Sequence, residues 1–339
     1  MERRYRELRN LLTPPLLVSF LLFGTMPLWI EAVGLYQYIG LEIMIWVIFA
    51  LGYNLLLGYA GLPSFGHGAF LGIGAYAFGL TQFNLAENLW ISLLGAILVT
   101  TALGGAVALF ISHRRGIYYA LMTIAFGQIF FFVASKWTTV TGGEDGLLDI
   151  QRLPVELGLV SFEITETSSL TWFAFALYAV VVVLLWRLVN APFGKVLKAI
   201  KQNEARCTFL GYNVVFYKWA AFTISCAIAG LAGGLFAMAQ QGAYIQIMSL
   251  QWSGIIVLMT LIGGGFVSFW GPVLGVILYF VARDILGAYT ETWLLWFGLM
   301  FMAVVMFKPD GLAGIWQGMV ARVRARRRGS AAARAVPAE

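Results

Sequence analysis

The sequence predicts an all-α fold, a polytopic transmembrane helical bundle of eight to ten spans with broken or re-entrant segments. Two observations carry this. Hydrophobic residues fill 60% of the 339 positions and charged residues only 11%, too few charges to cover a soluble domain of that length. The apolar residues also fall in long unbroken runs, as helices solvated by lipid require. The 38 glycines suit helices that pack backbone to backbone.

The elements follow in order. Residues 1–10 form a basic N-terminus with Arg3, Arg4, Arg6 and Arg9 ahead of an apolar run. This resembles a secretory signal, but no small-x-small cleavage site follows and the run continues past Pro27 to Ile30, so an uncleaved first span is expected. A transmembrane domain over 11–316 then carries apolar stretches at 12–30, 35–57, 66–82, 89–111, 117–137, 170–189, 219–240, 252–264, 271–283 and 293–307. The eighth and ninth are short and separated by glycines, as broken or re-entrant segments would be. Two long connectors interrupt the series, 138–169 and 190–218, and a basic tail occupies 317–339.

Charge gives the sidedness. With ten crossings and an inner N-terminus, 19 of the 22 Lys and Arg lie on one side, in residues 1–10, 113–115, 187–218 and after 307. Only Lys136, Arg152 and Arg283 lie on the other. Glu144, Asp145, Asp149, Glu156, Glu163 and Glu166 gather in the loop 138–169. The positive-inside rule then makes both termini and the loop 190–218 cytoplasmic and the acidic loop external. Eight crossings with two hairpins dipping back would keep the same sidedness. The tail is expected to lie on membrane lipid rather than on nucleic acid. Cys207 and Cys226 sit in no CxxC, and His67 and His113 are too far apart to build a zinc site, so neither a disulfide framework nor a metal site is expected.

Residues 54–68 are the least lipid-like stretch within the apolar region. Pro63 removes a backbone donor, and Gly61, Gly66 and Gly68 permit non-helical backbone. Such backbone survives at membrane depth only when buried in protein or lining a wet cavity. The stretch reads either as a tight loop between spans or as a transport pathway lined by Asn54, Ser64, Gly66, His67 and Gly68, with Gln128 as companion. Residues 263–272 repeat the theme, with Ser-Phe between glycines. The segment 192–211 differs: Val196, Leu197 and Ile200 fall at helical spacing among Lys195, Lys198 and Lys201, which suits an interfacial helix or a protein groove. No GxxxxGK[ST] is present, so ATP is not expected to be cradled by this chain.

These landmarks resemble one family. They are Leu51-Gly-Tyr-Asn-Leu-Leu-Leu-Gly-Tyr-Ala-Gly61, Ser64-Phe-Gly-His-Gly-Ala-Phe-Leu-Gly-Ile-Gly-Ala-Tyr76, Ala125-Phe-Gly-Gln128 with Thr141-Gly-Gly-Glu-Asp-Gly146, Phe193-Gly-Lys195 leading to Asn203-Glu204 and Leu210-Gly-Tyr212, Trp270-Gly-Pro-Val-Leu-Gly275, and Phe307-Lys-Pro-Asp-Gly-Leu312. In this order they resemble permease subunits of branched-chain amino acid ABC importers, LivM-type in particular. The resemblance implies an inner-membrane permease moving branched-chain or other hydrophobic amino acids, with no enzyme activity or cofactor of its own. It implies ABC ATPase subunits that use the ATP, a second homologous permease and a periplasmic substrate-binding protein as partners. It also implies that 190–218 holds an EAA-like coupling helix, with Gly194, Lys201, Asn203, Glu204, Ala205 and Gly211 at the ATPase; Arg206 stands where the motif has its second alanine. Urea and other small-solute permeases share similar motifs. A stand-alone channel or ion-coupled carrier would need intramembrane charges; Glu42 is the only clear candidate, and its place near the outer end of a span disfavours that reading.

Overall fold

The computed structural model describes residues 14–34, 36–157, 160–266, 268–308 and 310–315. The basic N-terminus and the tail therefore lie outside the described residues. The chain divides into two compact units, Met1–Val257 and Leu258–Glu339.

In the first unit, α1 (Pro14–Gly24) gives way to a single turn, Met26–Trp29, where Gly24 and Pro27 interrupt the predicted first span. Next comes α2 (Gln37–Asn54), which runs on as a π-helical turn, Leu55–Ala60. Its apolar residues face every direction and it is buried all round, the signature of a helix enclosed by others. After a non-helical stretch come α3 (His67–Asn84), α4 (Leu89–Ile111) and α5 (Gly116–Lys136). The Asn88 side chain accepts from the N–H groups of Trp90 and Ile91, which fixes the start of α4 where the sequence placed it.

Further along lie α6 (Thr167–Asn190), two shorter helices α7 (Pro192–Gln202) and α8 (Glu204–Phe209), and α9 (Val214–Gln240). The last begins five residues before the expected 219 because Asn213 caps it, its Oδ1 accepting from the Phe216 N–H. Packing centres on α9, which lies against α4, α3 and α2. Glycine makes this contact close. A Cβ on Gly74 would meet the Gly230 Cα at 2.7 Å, and one on Gly230 would meet Thr100 Oγ1 at 2.9 Å. Small residues of this kind let two membrane helices touch through their backbones.

The connectors gather in two groups, 113–115 with 204–218 and 138–169 with the chain after Gln240. The loop 138–169 is folded, not slack. Leu147 and Ala243 exchange backbone hydrogen bonds of 2.9 and 2.8 Å. Two short antiparallel strands, β1 (Val155–Leu157) and β2 (Val160–Phe162), form its outer hairpin. Arg152 donates to the carbonyls of Met238, Ala239 and Thr165, tying the loop to the end of α9. The chain beyond Gln240 then turns back into the bundle. Its 3₁₀ turn Ile245–Met248 reaches α3, where the Gly68 N–H donates to Ser253 Oγ at 3.0 Å, and Trp252 stacks on Trp46.

A helix α10 (Leu250–Gly263) leads out of the first unit, and the second contains α11 (Gly271–Tyr289) and α12 (Trp293–Phe307). The ninth predicted span is corrected here. It does not stop at Arg283 but continues to Tyr289, giving 19 residues, because the Arg283 guanidinium lies 4.5 Å over the Phe280 ring and the aliphatic stem stays in apolar surroundings. The eighth remains short, at 14 residues. The two glycine-rich stretches share a local plan: a helix, a left-handed glycine (Gly61, φ 70°; Gly264, φ 90°), a break, and a helix of small residues. Six described helices are long and apolar enough to cross a membrane.

Gly74→Leu should separate α3 from α9, with overpacking costing about 1–3 kcal/mol. Its melting temperature in detergent should fall by several degrees, while Gly254→Ala, where nothing lies within 4 Å of the added carbon, should melt like the parent. Equal melting of all three proteins would refute the close α3–α9 contact.

Candidate functional site: a broken span and the cytoplasmic-end helix pair

The break after α2 follows from its own backbone chemistry. Leu56 O accepts from the N–H groups of both Gly61 and Leu62, closing the π-turn, and Gly61 takes a left-handed φ. The Gly58 carbonyl is then stranded: Leu62 donates to Leu56, and Pro63, next in the π register, has no N–H. Lys201 of α7 supplies the donor, its Nζ reaching Gly58 O at 2.8 Å. Burial, and then the neighbouring Lys198 charge, hold the Lys201 ammonium below the usual lysine pKa.

Side chains satisfy the exposed N–H groups that follow. The Ser64 N–H donates to Tyr53 Oη (3.1 Å), and the Phe65 N–H to Thr123 Oγ1 (3.1 Å). Gly66 lies flat against α5: a Cβ there would collide with the Thr123 carbonyl, and one on Gly127 would meet the Gly66 Cα at 3.0 Å. Only glycine fits this crossing. His67 opens α3 inside an aromatic cage, with Phe49 stacked at 5.6 Å and Tyr53, Phe70 and Phe222 around it. Its Nε2 lies 2.8 Å from Ser225 Oγ. Because that hydroxyl donates to the Gly52 carbonyl, it accepts from His67, which places the imidazole proton on Nε2.

The predicted pathway residues therefore fall into two groups. Asn54, Ser64, Gly66, His67 and Gly68 come together and are buried, at 1% exposure for Asn54 and none for Ser64 or His67. They are packed within the chain rather than open to a cavity. The Asn54 amide, Ser64 Oγ, His67 Nδ1 and the nearby Tyr119 Oη have no hydrogen-bond partner, an unusual concentration of unsatisfied polar atoms. Gln128 stands apart. It follows Gly127 but points outward, mid-span on α5, beside exposed Leu121 and Phe132.

The predicted coupling residues all lie in the connector between α6 and α9. A Cβ on Gly194 would collide with the Val189 carbonyl, so glycine permits the tight corner from α6 into α7. Leu197 and Ile200 are buried, with Ile200 packed with Cys207 and Val214. The Asn203 side chain accepts from the Arg206 N–H at 2.9 Å and starts α8, and Ala205 is exposed. Gly211 ends α8: at φ 86° it donates to Thr208 O, while Tyr212 N–H reaches Cys207 O, the paired bonds of a Schellman motif. Glu204 finds its cations within the chain. Its Oε1 is 3.0 Å from both Arg115 Nε and Lys218 Nζ, and the buried Lys218 also donates to Arg114 O at 2.8 Å. The C-terminal end of α8 holds out apolar side chains, Phe209 at 90% exposure and Leu210 at 70%, beside the exposed Arg206 and Thr208.

Sequence reasoning passed over Tyr53, Thr123, Ser225, Ser253, Arg115 and Lys218 in these roles. Each acts through a partner on a distant segment, and nothing in its local spacing marks it. Lys218 is the partial exception, an isolated cation at the head of a long apolar helix.

Glu204→Ala should leave the Lys218 ammonium with one carbonyl for company. Removing one member of a buried pair costs about 3–5 kcal/mol. The loop 203–213 should then open, and trypsin should cut at Arg206 faster than in the parent. Adding Lys218→Met should recover part of the loss, as coupled neighbours do. Unchanged cleavage of the single variant would show that the pair does not hold the loop.

Comparison with known proteins matches the sequence to a family. The family described as "Branched-chain amino acid transport system / permease component" matches residues 35–307. The high-affinity branched-chain amino acid transport system permease proteins LivM of Salmonella typhimurium and Escherichia coli are 31% and 32% identical over 292 residues, covering 79% of this chain and 68% of each relative. A probable branched-chain amino acid transport permease protein LivM of Methanocaldococcus jannaschii is 25% identical and covered over 90% of its length. No solved structure matches. A multi-pass helical membrane protein matched over most of its length, the chain belongs to the family of branched-chain amino acid transport system permease components.

Proposed function

We propose that the chain is the membrane-spanning permease subunit of an ATP-driven importer that moves branched-chain or other hydrophobic amino acids across the inner membrane. Both termini and the α7–α8 connector face the cytoplasm, and the loop 138–169 faces outward. ATP is hydrolysed by separate ABC subunits, since the chain carries no P-loop. A second homologous permease and a periplasmic substrate-binding protein complete the assembly.

The observation that carries this reading is the α7–α8 connector. It is a braced pair of helices, fixed at both ends by the Gly194 corner and the Glu204–Lys218 pair, and it holds out Phe209 and Leu210. An apolar tip on a rigid mount is what a partner's groove takes up. In this arrangement Lys201, Asn203, Glu204 and Gly211 shape the mount, and the tip makes the contact.

The solute's route runs past the outward face of α5. A carboxamide at mid-span is costly against lipid, so Gln128 faces water or the second permease. Behind that face, Asn54, Ser64, Gly66, His67 and Gly68 form the joint that lets α5 and α3 shift. Their unsatisfied polar atoms are groups that a rearranged state can pair.

The test is uptake by proteoliposomes holding the permease pair and ATPase subunits, supplied with the cognate binding protein. Labelled leucine should accumulate only with ATP inside reach of the ATPase, and Gln128→Leu should lower uptake roughly tenfold, the range for one lost polar contact. Accumulation of leucine without the ATPase would end the importer reading; ATP-driven urea uptake without leucine uptake would move the substrate. Cysteine at Glu163 should label from outside in intact cells and cysteine at Lys195 should not. The native Cys207 and Cys226 are buried. The reverse pattern would invert the topology.

A further inference from the structure

Two of the three lysines of α7 turn back toward the membrane helices. All three are exposed as residues, but Lys201 caps Gly58 O and the Lys198 ammonium sits 4.9 Å over the Tyr59 ring. The Lys201 stem lies against Gly61, where an added Cβ would meet Cγ at 2.8 Å. Three successive features of the π-turn, its stranded carbonyl, its aromatic ring and its left-handed glycine, are thus all engaged by one face of α7.

From there the contacts run on without a gap. The π-turn leads into Ser64 and Phe65, whose N–H groups are held by Tyr53 and by Thr123 of α5. Gly66 then rests on Thr123 and Gly127, and the next residue, Gln128, is on the outward face. The second tie of the connector, Glu204 to Lys218 and Arg115, goes to the heads of α9 and α5 and bypasses the break.

We propose that Lys201 is a positioning residue of the transport cycle, its bond to the Gly58 carbonyl locking α7 to the π-turn so that displacement of the connector is delivered to the broken segment and through it to α5. The assignment rests on the ATP-driven reading above. It gives Lys201 an inward task, distinct from contact with the ATPase. The bond suits that task because the Leu62 N–H is taken by Leu56 O and Pro63 has none, so the local backbone does not replace the lysine.

The experiment compares Lys201→Met, Lys201→Arg and Lys195→Met in the full complex in proteoliposomes, measuring leucine uptake and ATP hydrolysis side by side. Lys201→Met should assemble and hydrolyse ATP near the parent rate while uptake per ATP falls roughly tenfold, within the range of coupling between sites. Lys201→Arg should restore most of the ratio, since a guanidinium can donate to the same carbonyl, and Lys195→Met should match the parent. A Ser64→Cys reporter should change its thiol-labelling rate on addition of ATP and vanadate in the parent and lose that response with Lys201→Met. A parental uptake-to-ATP ratio in Lys201→Met overturns the proposal. So does a proportional fall of both rates with the reporter response intact, which would mark a merely structural role. If Lys201→Met fails to assemble, Lys201→Gln, which keeps a neutral donor on a shorter stem, is read by the same ratio and reporter. Absence of ATP-driven uptake in the parent would instead defeat the importer reading itself, so the two failures are distinguishable.

Discussion

A backbone group without a partner inside a bilayer costs several kcal/mol, and the break between α2 and α3 is where this chain meets that demand with side chains. Pro63 removes the donor that the Gly58 carbonyl would have used, and Lys201, 143 positions beyond Gly58, replaces it. Tyr53, Thr123 and Ser253 hold the amides of Ser64, Phe65 and Gly68. Each of these donors or acceptors comes from a different part of the chain. The break is therefore held by α2, α5, α7 and the start of α10 together, and it reports on the placement of all four.

Close packing supplies the rest of the rigidity. Without water to drive helices together, association depends on shape and on small residues. Gly74 against Gly230 and Gly66 against Gly127 bring backbones into contact at two levels of the first unit. The first contact is between long, regular helices. The second is between a helix and a bend, and it leaves neighbouring polar atoms unpaired. A protein that needed only stability would have filled that region with leucine.

Most of the helices were legible in the sequence, since apolar length near 20 residues is a strong signal. The boundaries 89–111 and 293–307 match because Asn88 and Lys308 stand at them. The break was legible too, through Pro63 and its glycines. Its surroundings were not, for the cage around His67 is built by Phe49, Phe70 and Phe222 from three helices. Glu204 stood out only through the family motif, and its partners at positions 115 and 218 could not be chosen from spacing. Arg283 misled, because a charged residue reads as the end of a span until a ring is seen beneath it.

The π-turn carries a consequence for how such a site arises. A π-turn is an α-helix with one residue too many, and each residue in a helix advances the chain by about 100°. Inserting a single amino acid into a plain α2 would therefore both strand a carbonyl and swing everything beyond it to a new face. The whole fold upstream would stay as it was. A joint of this kind needs no new domain, only one extra codon in a helix that the surrounding helices already enclose.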